Sequence, residues 1–167
     1  MIITIITSIT FREYAKLLFT LTYKKPTMIL IVCIGLIMTG WIGGYWSGLL
    51  PVPEPLIYQY ITLSLIAVVQ PAFIYSIIRK NYLSSNHLRE LLEIIFTEKL
   101  IIVKGNSFLT ELTWEKTFKV VELTNWFLIY QNNLSAIIIP KRVFAINECD
   151  QFKGLLRSIP GLDLHLQ

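Results

Sequence analysis

The sequence predicts an α+β membrane protein, in which a two-helix transmembrane hairpin precedes a small antiparallel β barrel or sandwich capped by a C-terminal helix. Apolar residues make up 54% of the chain and charged residues 16%, against about 45–50% and about 25% in ordinary soluble domains. The apolar excess lies in two uncharged blocks, at 27–46 and 56–78. From residue 93 the apolar residues instead alternate with a period of two, which is typical of strands.

These patterns divide the chain into four segments. Residues 1–26 form an N-terminal strand and an amphipathic helix, residues 27–78 the hairpin, residues 79–92 a linker helix, and residues 93–167 the β domain with its C-terminal helix. Each uncharged block is long enough to cross a hydrocarbon core of about 30 Å, because a helix rises about 1.5 Å per residue.

Flanking charge predicts the orientation of the hairpin. The net charge is +4, and no Lys/Arg run resembles a nucleic-acid-binding arm, so we expect no nucleic-acid partner. The basic residues near the hairpin lie outside the connecting loop; they are Arg12, Lys16, Lys24, Lys25, Arg79, Lys80 and Arg89. Because basic residues stay on the cytoplasmic face, we expect a multi-pass protein of the bacterial inner membrane with both termini in the cytoplasm.

Small and polar residues within the two blocks indicate how the helices pack. Gly40 and Gly44 form a GxxxG motif, which permits close helix approach. The motif packs either against the second helix of the same hairpin or against another copy of the chain. Gln70 precedes Pro71, and its amide either satisfies the backbone carbonyl that proline frees or reaches the first helix. Neither block carries a charge, which disfavours a transporter or channel.

The remaining segments contain recognisable elements. Residues 2–9 are rich in Ile and Thr, and we expect this strand to join the sheet of the β domain, since its backbone otherwise lacks partners. Leu88, Leu91 and Leu92 are expected to share one face of the linker helix. Six short strands are predicted between residues 93 and 139. A final helix is then expected, with Asn147 as its N-cap and with Pro160 and Gly161 ending it.

The sequence contains no pattern that points to catalysis. There is no phosphate-binding loop, nucleophile elbow or metal-ligand spacing. His87 is isolated and expected on the surface, and His165 lies in a tail expected to fray. Cys33 and Cys149 are not expected to form a disulfide. We therefore expect no enzyme, no cofactor, no metal and no small-molecule substrate.

Four basic residues are candidates for contact with headgroups or a partner. Lys141 and Arg142 follow the last predicted strand, and Arg79 and Lys80 follow the second uncharged block. One interpretation is that these four residues touch anionic lipid headgroups. The other is that Lys141 and Arg142 are ordinary solvated loop residues.

The order of these parts resembles the YcxB-like family of bacterial membrane proteins. The residues that carry the resemblance are the Trp114-Glu115 pair opening a strand, the run from Trp126 to Tyr130, and the segment Ile-Ile-Ile-Pro-Lys-Arg ending at Arg142. The likeness covers most of the chain. It implies a cytoplasmic domain similar to the pleckstrin-homology fold, and it implies no catalytic residues.

The leading functional hypothesis is a non-enzymatic, membrane-anchored interaction or scaffold protein. In this hypothesis the hairpin holds the β domain at the cytoplasmic face of the bilayer, where the domain binds a protein partner or another copy of the chain as a subunit of a membrane complex. The alternative is an immunity or protective protein against a membrane-active toxin, acting through the hairpin.

Overall fold

The computed structural model describes residues 2–133 and 135–166, without the side chains of residues 86 and 87. The surface position expected for His87 therefore falls outside the described residues. The chain forms two compact units. We call Thr10–Ser85 the helical unit, and Met1–Ile9 together with Asn86–Gln167 the β unit.

The helical unit contains three helices, α1 (Phe11–Tyr23), α2 (Pro26–Trp46) and α3 (Ile57–Ser84). Helix α1 confirms the predicted amphipathic helix. It begins with a capping box, in which the Thr10 hydroxyl accepts from the Glu13 backbone N–H and the Glu13 carboxylate accepts from the Thr10 backbone N–H. Tyr14 and Leu17 are its buried residues.

Helices α2 and α3 are long and apolar enough to cross a membrane, by length and composition. Only 11% of the most apolar stretch of each helix is buried within the structure. A proline at the first turn opens α2, where its missing N–H costs nothing. At the far end, the Trp46 indole Nε1 donates to the Tyr60 hydroxyl of α3 over 2.9 Å.

The prediction of a linker helix at 79–92 is wrong. Residues 79–84 are the last turns of α3, which ends at Ser84 because Ser85 adopts an extended conformation. Only Asn86–Arg89 forms a separate short helix, α4. Leu92 is then the first residue of a strand and is buried, while Leu91 is 56% exposed, so these two leucines do not share a helical face.

The described part of the β unit contains eight strands and one long helix. The strands are β1 (Ile3–Thr7), β2 (Leu92–Phe96), β3 (Leu100–Lys104), β4 (Leu109–Thr113), β5 (Lys119–Leu123), β6 (Trp126–Tyr130), β7 (Ala136–Pro140) and β8 (Leu164–His165). The first sheet has the order β1-β2-β3-β4 and the second the order β7-β6-β5-β8. All six strands predicted between residues 93 and 139 are confirmed.

The N-terminal strand joins the sheet as predicted. Strand β1 pairs antiparallel with β2 in a register that places Thr7 opposite Leu92 and Ile3 opposite Phe96. Ile3, Ile5 and Thr7 are buried and the residues between them are exposed, which is the alternation of a strand with one core face.

The core lies between the inner faces of the two sheets and is closed by helix α5 (Glu148–Ser158). Phe152, Leu155 and Leu156 of α5 are all buried in it. Asn147 precedes the helix as predicted but does not cap it with its side chain. Its φ of 72° is left-handed, a conformation that asparagine tolerates better than most residues.

Three further predictions are corrected. The β domain is not a closed barrel, because the chain between β4 and β5 forms a 3-10 turn at Trp114–Lys116 rather than continuing a ladder. The Trp114-Glu115 pair therefore opens this turn and not a strand. His165 does not lie in a fraying tail either, because β8 pairs parallel with β5, opposite Val121.

The pairing of β1 with the core gives a testable prediction. Ile5 is 2% exposed and Ile6 is 62% exposed on the same strand. We expect Ile5→Ala to lower the free energy of unfolding of the β unit by about 2–4 kcal/mol, because it leaves a cavity between the sheets. Amide hydrogen exchange of β2 and β3 in the full chain measures this loss.

Ile6→Ala is the matched control, since it removes the same atoms from the exposed face of the same strand. We expect this variant to stay within about 0.5 kcal/mol of the original chain. Equal effects of the two substitutions would show that β1 does not contribute to the core.

Candidate interaction surfaces

A buried carboxylate binds two lysines at the edge of the β-unit core. Glu122 points from β5 into the core, opposite Phe127 of β6, and its side chain is 1% exposed. Its Oε1 atom lies 2.6 Å from Lys141 Nζ and 2.7 Å from Lys153 Nζ. Lys153 belongs to α5, and Lys141 opens the 3-10 turn Lys141–Val143 after β7. One carboxylate thus connects three parts of the β unit.

The electrostatics of this cluster favour the charged form of Lys153. The hydrogen bond to Glu122 raises the pKa of Lys153 above its ordinary value of 10.5. Lys141 Nζ also lies 5.2 Å from the centre of the Phe127 ring, where the ring face attracts a cation. The two lysine side chains retain about a fifth of their exposure, so the cluster is a structural ion pair at the rim of the core.

The four predicted contact residues are divided between the units. Arg79 and Lys80 are exposed on α3 of the helical unit, and Lys141 and Arg142 lie in the β unit. Lys141 is occupied by Glu122, whereas Arg142 is exposed and donates to the Ser8 carbonyl over 3.0 Å. The prediction of headgroup contact therefore now rests mainly on Arg79, Lys80 and Arg142.

The outer face of the second sheet is apolar, although it points away from the core. Strands β5, β6 and β7 present nine side chains on this face, in three registered rows. We call six of them the outer apolar face, namely Val121, Leu123, Trp126, Leu128, Tyr130 and Ile138. Leu128 is 1% exposed, and the other five are half-buried. Lys119 is the charged residue among the nine, and its Nζ lies 5.3 Å from the Tyr130 ring centre.

The outer face of the first sheet has a mixed composition, in which charged residues and threonines alternate with isoleucines and leucines. Its charged residues are Glu93, Lys104 and Glu111, and Glu93 pairs with Lys104 over 3.5 Å. Exposed apolar residues also occur there, notably Ile6 and Leu109. An antiparallel sheet with one solvated face usually alternates apolar and polar residues, but β2 (LEIIF) and β3 (LIIVK) of the first sheet contain consecutive apolar residues. Strand β6, with the sequence WFLIY, does not alternate.

The glycines of α2 divide into packed and open positions. A Cβ atom on Gly44 would collide with the Leu50 side chain, and one on Gly35 would lie 3.1 Å from Ile66 of α3. A Cβ on Gly40 would meet nothing within 4 Å. The described helical unit therefore uses Gly35 for close helix packing and Gly44 for contact with the loop. Gly40 lies on an open surface of α2.

Gln70 reaches the first helix, which was one of its two predicted roles. Its Nε2 donates to the Met28 sulfur of α2 over 2.9 Å, while its buried Oε1 has no partner among the described residues. It follows a π-helical segment, Leu65–Val69, in which the Gln70 backbone N–H bonds to the Leu65 carbonyl. Pro71 has no N–H to donate, so this turn departs from the regular ladder.

The described residues offer few groups suited to metal binding or redox chemistry. Within residues 2–133 and 135–166, no three or more His, Cys, Asp or Glu side chains gather in a way that would hold a metal ion. Cys33 and Cys149 are free thiols.

Sequence reasoning missed the Glu122 cluster. The acids of the sheet region are expected to lie on solvated faces, and Glu122 is an exception to that expectation. The available signal is strand parity, because Glu122 lies two residues after Val120, which is a core position. The partner Lys153 could not be predicted from sequence, since the contact depends on how α5 packs against β5.

The Glu122 cluster gives a second testable prediction. We expect Glu122→Gln to lower the free energy of unfolding of the β unit by about 2–3 kcal/mol, because two partly buried ammonium groups lose their counter-charge. Hydrogen exchange of the most protected amides of β5 and β6 measures it. Glu111→Gln, an exposed change of the same type, is expected to stay within about 0.5 kcal/mol. Equal losses for the two variants would contradict a stabilising cluster.

Comparison with known proteins finds a family match for part of the β unit. Residues 96–156 match the family model described as YcxB-like protein. The matched region runs from the last residue of β2 into α5, so the predicted family resemblance is confirmed for this region and does not extend over the helical unit. No curated protein and no solved structure matches the chain.

Proposed function

Starting from the YcxB-like region, we propose that the chain is a membrane-anchored interaction protein whose β unit docks a partner protein at the cytoplasmic face of the bacterial inner membrane. The helical unit is the anchor, and α2 and α3 are its two membrane spans. The observation that carries the proposal is the outer apolar face of the second sheet, where six apolar side chains in registered positions lie outside the core.

Several features support the anchor. The apolar stretches of α2 and α3 are 11% buried, whereas a core helix of a soluble protein hides most of its apolar surface. Strands β1 and β2, which precede and follow the helices, pair in one sheet. They must therefore lie on the same side of any membrane, which allows only an even number of crossings between them. The distribution of basic residues favours the cytoplasm as that side.

Two sheets with inner faces packed around a C-terminal helix support a pleckstrin-homology-like architecture for the β unit. Such domains serve as platforms, and function resides in the surface that they present. In the β unit, the outer face of the second sheet has one charged residue, Lys119, among the nine positions on β5, β6 and β7. Aromatic residues such as Trp126 and Tyr130 are enriched in protein interfaces.

The composition of the face favours a partner different from the chain itself. Lys119 is the charged residue on these strand positions and lies over the Tyr130 ring. A second copy would bring the same cation to the interface, and like charges in an interface disfavour association. A partner with an apolar surface bordered by a carboxylate is complementary to this face.

Photo-crosslinking in intact cells tests the proposal. We replace Tyr130 with p-benzoylphenylalanine, an aromatic residue of similar shape, and irradiate cells that express the full chain. We expect one heavier product whose mass and peptides identify a second, different protein. Ile138→Lys is expected to abolish the product, because it places a charge in the middle row of the face, beside Leu128.

Leu109 on the outer face of the first sheet, 62% exposed, is the matched label position and is expected to give no such product. Glu111→Lys is the matched charge substitution and is expected to leave the Tyr130 product unchanged. A product formed only within one chain, or only between two copies of it, would contradict the proposal, as would equal labelling from Leu109.

A further inference from the structure

Helix α1 has two faces of opposite character within the helical unit. Tyr14 and Leu17 are buried, and α1 packs against α3 through aromatic contacts. The Phe11 ring centre lies 5.7 Å from that of Tyr75 and 5.4 Å from that of Tyr82. These rings fix α1 along the last turns of α3.

The other face of α1 is basic. Arg12 and Lys16 are one helical turn apart and exposed, and the exposed Thr20 continues the same row. The exposed Lys24 and Lys25 follow α1 and immediately precede α2. Arg79 and Lys80 are exposed on the part of α3 against which α1 packs. We call these six residues the basic collar: Arg12, Lys16, Lys24, Lys25, Arg79 and Lys80.

The collar has almost no acidic counterpart within residues 10–85. This unit contains two acidic residues, Glu13 and Glu54. Glu13 is held in the capping box of α1 by the backbone and side chain of Thr10. Glu54 lies in the loop between α2 and α3, at the opposite end of both helices from the collar. Positive charge is therefore concentrated at one end of the unit.

The position of the collar matches one boundary of a bilayer. Lys25 is the N-cap of α2, and the helix beyond it is uncharged to its end at Trp46. Arg79 is 22 positions after the start of α3 at Ile57, which corresponds to about 33 Å at 1.5 Å per residue. The hydrocarbon core is about 30 Å thick, so both sets of cations fall at the level of one headgroup layer.

We propose that α1 is an interfacial helix and that the basic collar binds the headgroups of anionic phospholipids. The inference rests on the proposed membrane insertion of the hairpin but not on the proposed protein partner. The inference assigns to α1 the role of binding lipid headgroups, which is distinct from the roles of the membrane spans and of the β unit. Helices with one apolar and one basic face are typical of membrane interfaces.

Native mass spectrometry of the full chain from detergent micelles tests this inference. We titrate phosphatidylglycerol and phosphatidylcholine in separate experiments and compare their dissociation constants. We expect phosphatidylglycerol to bind at least about fivefold more tightly, the factor that one favourable basic residue supplies. The variant Arg12→Gln/Lys16→Gln/Arg79→Gln/Lys80→Gln, which keeps Lys24 and Lys25, is expected to lower this ratio by at least about fivefold.

A second fourfold variant controls for net charge. Lys99→Gln/Lys104→Gln/Lys116→Gln/Arg157→Gln removes four exposed cations from the β unit and is expected to keep the lipid preference. The inference is overturned if the original chain shows no preference or if both variants lose it equally. Loss of the preference on addition of inorganic phosphate would also overturn it, because the collar would then be a site for free anions. A chain that stays soluble without detergent would instead refute the anchor itself.

Discussion

The structure depends on the pairing of β1 with β2. Residues 3–7 precede the helical unit and residues 92–96 follow it, yet they form neighbouring strands of one sheet with Thr7 opposite Leu92. The sheet therefore closes a chain loop that contains all of α1, α2 and α3. Ile3 and Ile5 of β1 are core residues, so this closure is coupled to the packing of the β unit.

This closure constrains what the helical unit can be. A segment that begins and ends at one pair of registered residues returns to the same side of any boundary that it crosses. An even number of membrane spans satisfies this requirement, and α2 and α3 are the two helices of the described chain with the length and composition to cross. The two β strands thus add a structural reason for the hairpin topology that flanking charge favours.

The apolar residues of the β unit are distributed unevenly between its two sheets. Both sheets bury one face against α5, but the second sheet is also apolar on the opposite face. One core-facing position of that sheet holds a charged residue, Glu122. Lys141 and Lys153 form ion pairs with its carboxylate. The arrangement fixes α5 and the turn after β7 on the inner side of the second sheet.

Hydrophobic periodicity was sufficient to predict α1 and the strands between residues 93 and 139. The two long helices followed from the length of the uncharged blocks, and the pairing of the N-terminal strand followed from its need for backbone partners. Periodicity failed where local signals were ambiguous. Leu88, Leu91 and Leu92 fit a helix by spacing, but Leu92 belongs to β2 because Ser85 ends α3 early. The two-residue strand β8 carries too few residues to show a period.

The candidate surfaces were less predictable than the fold. Lys141 reads as a solvated cation in the sequence, and its pairing with Glu122 depends on contacts between strands that only the folded chain brings together. The outer apolar face is visible in the sequence as the unbroken run WFLIY. Interpreting this run requires the sheet order. The order shows that β6 lies between β7 and β5 and that one of its faces lies outside the core.

The most direct test of the central claim is to measure on which side of the membrane β1, β3 and the hairpin loop lie. In a chain lacking Cys33 and Cys149, single cysteines at Thr4, Lys104 and Leu49 report the three positions to a membrane-impermeant thiol reagent. All three positions are exposed. We predict that Leu49→Cys reacts in intact cells, whereas Thr4→Cys and Lys104→Cys react only after permeabilisation. Reaction of Thr4→Cys and Lys104→Cys from opposite sides, or of all three from one side, would contradict the account.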